Sequence, residues 1–383
     1  MEQKYIYFQP QYVSEFICDS SKCNNNCCER PWNIDVDEVT YKKYLQVVPA
    51  IVQHFEFNER KGKYLLAKHP CPFLTEKKLC RLQLEYGEDF LSLTCKTYPR
   101  VTTYFGKFFE RSLALTCPVA AERILFQAAP MQFELVEVSE KVHGGKRILI
   151  NPVHLDEKTL QHAIEIQMAM ISILQERTLS IDQRLIVLGF FLDRLDEIFS
   201  AEVFDNVALT KLISAYESKS FLSEWVLRML RAVRFDVEKF STMMIDLSIK
   251  FFGKGSFSDA ISKVTADKKF LVAFRKNFAD KYTTLFEQFL VNELFLNCYP
   301  WRFEGHIIKN FGVFVIKYKI FELVILLATL ENSIDKEEII LLAERFTSQF
   351  DHVEINQQRI FDYLQDKDDA LNLMESLLEG GLK

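Results

Sequence analysis

Glycine and proline are scarce in this chain, 12 and 10 among 383 residues, which excludes collagen-like, mucin-like and linker-dominated organisation. No G-x-G-x-x-G, P-loop or G-x-S-x-G pattern occurs, so dinucleotide-binding, nucleotide-hydrolysing and α/β-hydrolase readings have no foothold. The seven histidines are scattered and form no H-E-x-x-H or H-x3-H pair. Long uninterrupted apolar runs are missing too. The most apolar stretch, residues 311–330, is broken by Lys317, Lys319 and Glu322. It falls short of the roughly 18 uninterrupted residues a membrane crossing shows, and is expected to be a buried core helix with no membrane anchor. A basic excess is also lacking. The formal charge is −6, divided as +2 over residues 1–130 and −8 over 131–383, so binding to a nucleic-acid backbone is not expected. The opening residues MEQKYIYFQPQYVSEF carry no apolar core behind a basic start, which predicts a cytoplasmic protein.

What the chain does have is cysteine. Nine are present, and eight of them, Cys18, Cys23, Cys27, Cys28, Cys71, Cys80, Cys95 and Cys117, lie in the first 117 residues. In a reducing compartment such a cluster points to metal binding or catalysis rather than disulfides. The first group sits in CDSSKCNNNCCERPW, whose Ser and Asn favour turns over helix, as a loop wrapping a small inorganic centre requires. Thiolates are soft ligands that select zinc, Cu(I) or iron–sulfur clusters, and four satisfy either a tetrahedral zinc or a cubane. All eight are candidate ligands, which is more than one centre needs. Zinc ribbons present two close cysteine pairs, whereas only Cys27 and Cys28 are adjacent here. Spacing therefore favours iron–sulfur over zinc and leaves a metal-free thiol cluster open. No C-x3-C-x2-C loop is present, so radical S-adenosylmethionine chemistry is not indicated. His69, in KHPCPF, is the one histidine near the cysteines; Cys298, in FLNCYPW, reads as a buried core thiol.

Length and a 49% hydrophobic, 26% charged composition predict a folded protein with at least two cores. The expected fold is mainly α: an irregular cysteine-rich domain over residues 1–130 with short β-hairpins, then an all-helical domain over 131–383. One hairpin is expected in RVTTYFGKFFERSLAL around Gly106. A second is expected over 131–153 around Gly144 and Gly145, opening the helical domain. Apolar residues at three- and four-residue spacing then predict about eight helices, near 155–176, 181–199, 206–217, 221–251, 266–297, 306–331, 335–350 and 355–379. Ser180 is the expected N-cap of the second.

The run CPFLTEKKLCRLQLEYGEDFLSLTCKTYPR, preceded by CDSSKCNNNCCERPW and followed by ERSLALTCPVAAE, resembles the flagellin lysine-N-methylase family of bacterial motility proteins. It is also similar to the broader cysteine-cluster proteins described as zinc/iron-chelating. The resemblance covers residues 12–123; beyond them only helical texture and an apolar segment near Pro300 are shared. One departure is Cys23-x3-Cys27, wider than the two-residue gaps of the short cysteine-cluster proteins. The resemblance implies methyl transfer from S-adenosylmethionine to lysine ε-amino groups on flagellin, and a cysteine-bound iron–sulfur cluster of the 4Fe-4S type. A competing reading is a non-enzymatic zinc or iron module acting as chaperone, store or adaptor.

Methylation needs a neutral amine, and an unperturbed lysine pKa of about 10.4 leaves under about one part in a thousand deprotonated at neutral pH. An aromatic-lined channel would desolvate the amine and hold a sulfonium by cation–π contact. Tyr98, Tyr104, Phe105, Phe108 and Phe109 crowd the first hairpin. Tyr98, Tyr104 and Glu110 are accordingly the candidate catalytic residues, against the blander reading that they pack a small core. The acidic helical domain offers a face to lysine-rich partner surfaces.

Overall fold

The computed structural model describes residues 5–18, 23, 27–29, 34–59, 62–66, 70–104, 108–138, 146–149, 157–201, 204–219, 259, 262, 266, 268–303, 307–331, 334–351 and 354–364. They fall into two compact units: residues 1–123 with 132–149, and residues 124–131 with 150–383. Helix predominates, and the strands among the described residues belong to the first unit.

The first unit holds two sheets. In the larger, β7 (Phe133–Val138), β1 (Tyr5–Pro10), β6 (Phe109–Leu113), β5 (Arg100–Tyr104) and β8 (Lys146–Leu149) lie side by side in that order. β5 and β6 pair antiparallel from Arg100 opposite Leu113 to Tyr104 opposite Phe109. That is the hairpin expected around Gly106; Phe105 and Gly106 themselves lie outside the described residues. The smaller sheet is an antiparallel β2 (Ile34–Val36), β4 (Lys63–Leu66), β3 (Phe55–Asn58).

The hairpin expected over 131–153 is not one. Its two runs do form strands, but β7 pairs antiparallel with β1 and β8 pairs parallel with β5, at opposite edges of the sheet. Alternating side chains favour a strand without naming its partner. Here β1, whose last four residues are buried, offers β7 a six-residue ladder. The loop with Gly144 and Gly145 lies outside the described residues.

Short helices tie the sheets together. α1 (Gln11–Ser14) continues β1, and α2 (Glu38–Val47) starts on Asp37, whose carboxylate accepts the Thr40 N–H at 2.9 Å. α3 (Arg81–Tyr86), α4 (Leu93–Thr97) and α5 (Pro118–Leu125) each begin at or near a cysteine. Tyr41, Tyr44, Leu66, Cys71, Phe73 and Leu82 share one core with Val36.

The second unit is helical: α6 (Glu157–Leu174), α7 (Ile181–Ser200), α8 (Asn206–Glu217), α9 (Lys268–Leu296), α10 (Ile307–Glu331), α11 (Lys336–Asp351) and α12 (Glu354–Tyr363). The helix expected over 221–251 lies outside the described residues. Ser180 closes a capping box on α7: its Oγ accepts from Gln183 N–H at 3.3 Å and Gln183 Oε1 accepts from Ser180 N–H at 3.0 Å. Gly189 lets α7 meet α10, since a Cβ there would lie 3.2 Å from the Phe311 ring. Phe289 and Phe321 stack with centroids 4.1 Å apart, and Cys298 is fully buried as expected.

The core of this unit is also charged. Glu287, with no exposed surface, accepts from Arg184 and Arg177, each at 2.8 Å. Lys319 bridges Asp182 at 2.5 Å and Glu322 at 3.0 Å, and Lys317 pairs with Glu293. The cations that interrupt the apolar run 311–330 are therefore internal ion-pair partners. Among the described residues no helix is long and apolar enough to cross a membrane.

Candidate functional site

All eight N-terminal cysteines line a single cavity of about 330 Å³ in the first unit. Five of them, Cys28, Cys71, Cys80, Cys95 and Cys117, are placed by local devices. Cys28 is fixed to Cys71 through the main chain, Cys71 N–H donating to the Cys28 carbonyl at 2.8 Å. A turn follows in which Leu74 N–H donates to the Cys71 carbonyl at 3.0 Å, and the Leu74 to Cys80 bridge brings Cys80 to the start of α3. Ser92 caps α4 by accepting from Cys95 N–H at 3.2 Å, and Ser92 is itself held by its N–H donating to Tyr44 Oη at 2.7 Å. The Cys117 carbonyl takes the first bond of α5, from Ala121 N–H at 2.8 Å. Cys18 is exposed, Cys71 and Cys117 are buried, and the other five are half-buried.

The electrostatics follow from this crowding. Cys28 shares hydrogen bonds with Cys27 and Cys71, which with burial hold its proton far above the ordinary thiol range. Cys71, the bonding partner of Cys28, is drawn below that range. Burial pushes Cys95 up to about 12, helped by Cys71, Cys27 and Cys80. It does the same to Cys117, helped by Cys23, Cys27 and Cys18, and raises Cys80. Backbone N–H groups face several sulfurs, from Phe73 to Cys71, from Gln83 and Leu82 to Cys80, and from Ala120 to Cys117. Such donors stabilise thiolate ligands. A soft cation is bound by thiolates, so metal binding to protonated thiols releases protons.

The thiols surround a volume and do not converge on a point. Among the described residues no three His, Cys, Asp or Glu side chains stand close enough together to hold one metal ion as they are. His69, the histidine near the cysteines, lies outside the described residues.

The three candidate catalytic residues are not brought together. Tyr98 lines the cysteine cavity, its hydroxyl donating to Thr116 Oγ1 at 3.1 Å. Tyr104 stands opposite Phe109 on the β5–β6 ladder, with ring centroids 4.9 Å apart. Glu110, 2% exposed, follows Phe109 in the strand and so faces the other side of the sheet. Neither Tyr104 nor Glu110 lines the cavity. Arg100, absent from the sequence-based candidates, does. Its one signal in the sequence is its place in CKTYPR, five residues beyond Cys95.

Comparison with known proteins adds an independent line. The family model described as the FliB lysine N-methylase C-terminal domain matches residues 167–378, more than half of the chain and wholly within the second unit. The sequence-based resemblance had rested instead on residues 12–123. The flagellar biosynthetic protein FliU of Salmonella muenchen is 34% identical over 128 residues, 30% of this chain and 75% of that protein. A lysine-N-methylase of Salmonella typhimurium is 35% identical over 128 residues, again 30% of this chain, but the alignment spans only 32% of that protein. No solved structure matches. With over half of its length matched by that model, the chain belongs to the FliB lysine N-methylase family.

Proposed function

We propose that this chain is a cytoplasmic, S-adenosylmethionine-dependent methyltransferase acting on lysine ε-amino groups of flagellin. On the same reading, its eight-cysteine cavity holds an iron–sulfur cluster of the 4Fe-4S type. Family membership supports the reaction, and the names of the Salmonella relatives support a flagellar target. The observation that carries the cluster is the gathering of eight thiols, distant in sequence, on one cavity.

The donor set fits such a centre. A tetrahedral zinc draws four sulfurs to about 2.3 Å from one point. The eight thiols here are spread around a cavity of about 330 Å³ that other side chains also line, an arrangement with room for a polynuclear centre. Cys28, Cys71, Cys80, Cys95 and Cys117 are the ligand candidates that turns and helix starts hold in place. When bound, the cluster supplies a rigid anionic hub for loops that have little core of their own.

S-adenosylmethionine supplies the methyl group as a sulfonium. What the chain must supply is a lysine nitrogen stripped of its proton and aligned with that methyl carbon. Tyr98 is the candidate catalytic residue best placed to take part, and it acts through its ring, because its hydroxyl is engaged by Thr116. A tyrosine face next to a sulfonium or ammonium contributes about 0.5–2 kcal/mol. The acidic second unit offers a complementary surface to a lysine-bearing partner.

The test is direct. Protein purified without oxygen is incubated with flagellin and methyl-labelled S-adenosylmethionine, and label on flagellin lysines is read by mass spectrometry. Labelled lysines are expected; absence of label from a metal-loaded, folded protein would overturn the reading.

A further inference from the structure

Among the described residues three cations line the cysteine cavity: Lys78, Lys96 and Arg100. Two of them are neutralised. Lys78 Nζ lies 3.1 Å from Glu29, and Lys96 Nζ lies 2.6 Å from Asp89. Arg100 is held differently. Its Nη2 donates to the main-chain carbonyl of Phe16 at 2.8 Å, and its guanidinium carbon lies 5.3 Å from the centroid of the Phe16 ring. Both partners are uncharged, so they fix the guanidinium in place without cancelling its charge by direct contact. Among the described residues no carboxylate oxygen comes within 4.0 Å of it; Glu88, another cavity-lining residue, acts on it from farther away, as does Cys18.

A second guanidinium stands beside it. Arg111 faces Thr102 across the β5–β6 ladder, so Arg100 and Arg111 are diagonal neighbours on one face of the sheet. Arg111 donates to Thr102 Oγ1 at 3.2 Å and lies 4.0 Å from the Tyr7 ring centroid, again on neutral partners. Holding two like charges together, half out of water and with no carboxylate in direct contact among the described residues, costs free energy. An anionic occupant of the cavity offsets that cost. Four thiolates around a zinc ion or a cubane core leave net negative charge on the centre.

We propose that Arg100 is the counter-charge of the metal–thiolate centre, a positioning residue that retains the metal by balancing the negative charge of its thiolates. This rests on the reading that the cavity holds such a centre. The experiment uses the full chain, purified under argon with its metal, as wild type, Arg100→Gln, Arg100→Lys and Glu88→Gln. Each is exposed to a chromophoric chelator, and metal release is followed at equilibrium and in time.

Arg100→Gln is expected to weaken metal retention about tenfold, the usual scale for a group just outside the ligands, with the far-ultraviolet circular dichroism unchanged. Arg100→Lys should stay close to wild type. Glu88→Gln, which removes the competing negative charge, should shift retention the opposite way. A merely structural bond to Phe16 predicts no effect at Glu88. Equal retention in Arg100→Gln, Glu88→Gln and wild type overturns the proposal, and so does Arg100→Lys behaving like Arg100→Gln. If Arg100→Gln does not fold, Glu88→Gln decides alone: tighter retention supports the proposal and unchanged retention overturns it. The wild-type spectrum separates the two readings. A colourless zinc protein overturns the iron–sulfur reading while zinc release still tests Arg100, and a protein that binds no metal overturns both.

Discussion

Cys71 is buried and hydrogen-bonded to Cys28 twice, by its N–H donating to the Cys28 carbonyl and by a hydrogen bond between the two thiols. Cys71→Ser is therefore expected to lose most of the bound metal, measured by elemental analysis after anaerobic purification. Tyr98 gives a second residue-scale prediction. Tyr98→Ala should slow methyl transfer about tenfold with metal content unchanged, as loss of a cation–π face predicts. Tyr98→Phe should keep most of the activity, because the ring stays. In the second unit, Glu287→Gln strands the almost wholly buried Arg184. Breaking such a pair costs about 3–5 kcal/mol, to be read as a lower urea midpoint. The thiols were legible in the sequence because thiol chemistry is carried by residue type alone. The ion pairs were not. Lys319 reads as an interruption of an apolar run, and its partner Asp182 lies 137 positions away. Arg100 was equally hidden, one of 47 basic residues until the fold set it against Phe16.

At the scale of elements, the helices of the second unit were legible because their apolar spacing and caps are local. The Ser180 capping box is the test of that locality. Ser180→Ala should destabilise α7 by about 1 kcal/mol, visible in thermal unfolding of the full chain. Strand pairing obeys a different rule. The alternation over 133–138 and 146–149 reads as two strands, yet each finds its partner far along the chain, in β1 and β5. A two-residue period says which faces a strand has and nothing about which neighbour takes its edge. The same period explains why Tyr104 and Glu110, close in sequence, serve opposite faces of one sheet.

For the whole molecule, the boundary expected at residue 130 is crossed by the first unit, which includes residues 132–149 and takes its two edge strands from them. A fragment ending at residue 130 would leave both β1 and β5 with open edges, which invites association. It should precipitate or unfold at a lower temperature than a fragment ending at residue 149, by light scattering and thermal melts. The cysteine unit and the helical unit also carry different kinds of support for function. The family match lies in the helices, while the gathered thiols lie in the sheets. The measurement that tests the central claim most directly is iron and acid-labile sulfide per chain, with the absorbance spectrum, on wild-type protein purified without oxygen. A brown protein with about four iron and four sulfide per chain is expected. A colourless protein without iron, folded and with all eight thiols free to titration, would contradict it.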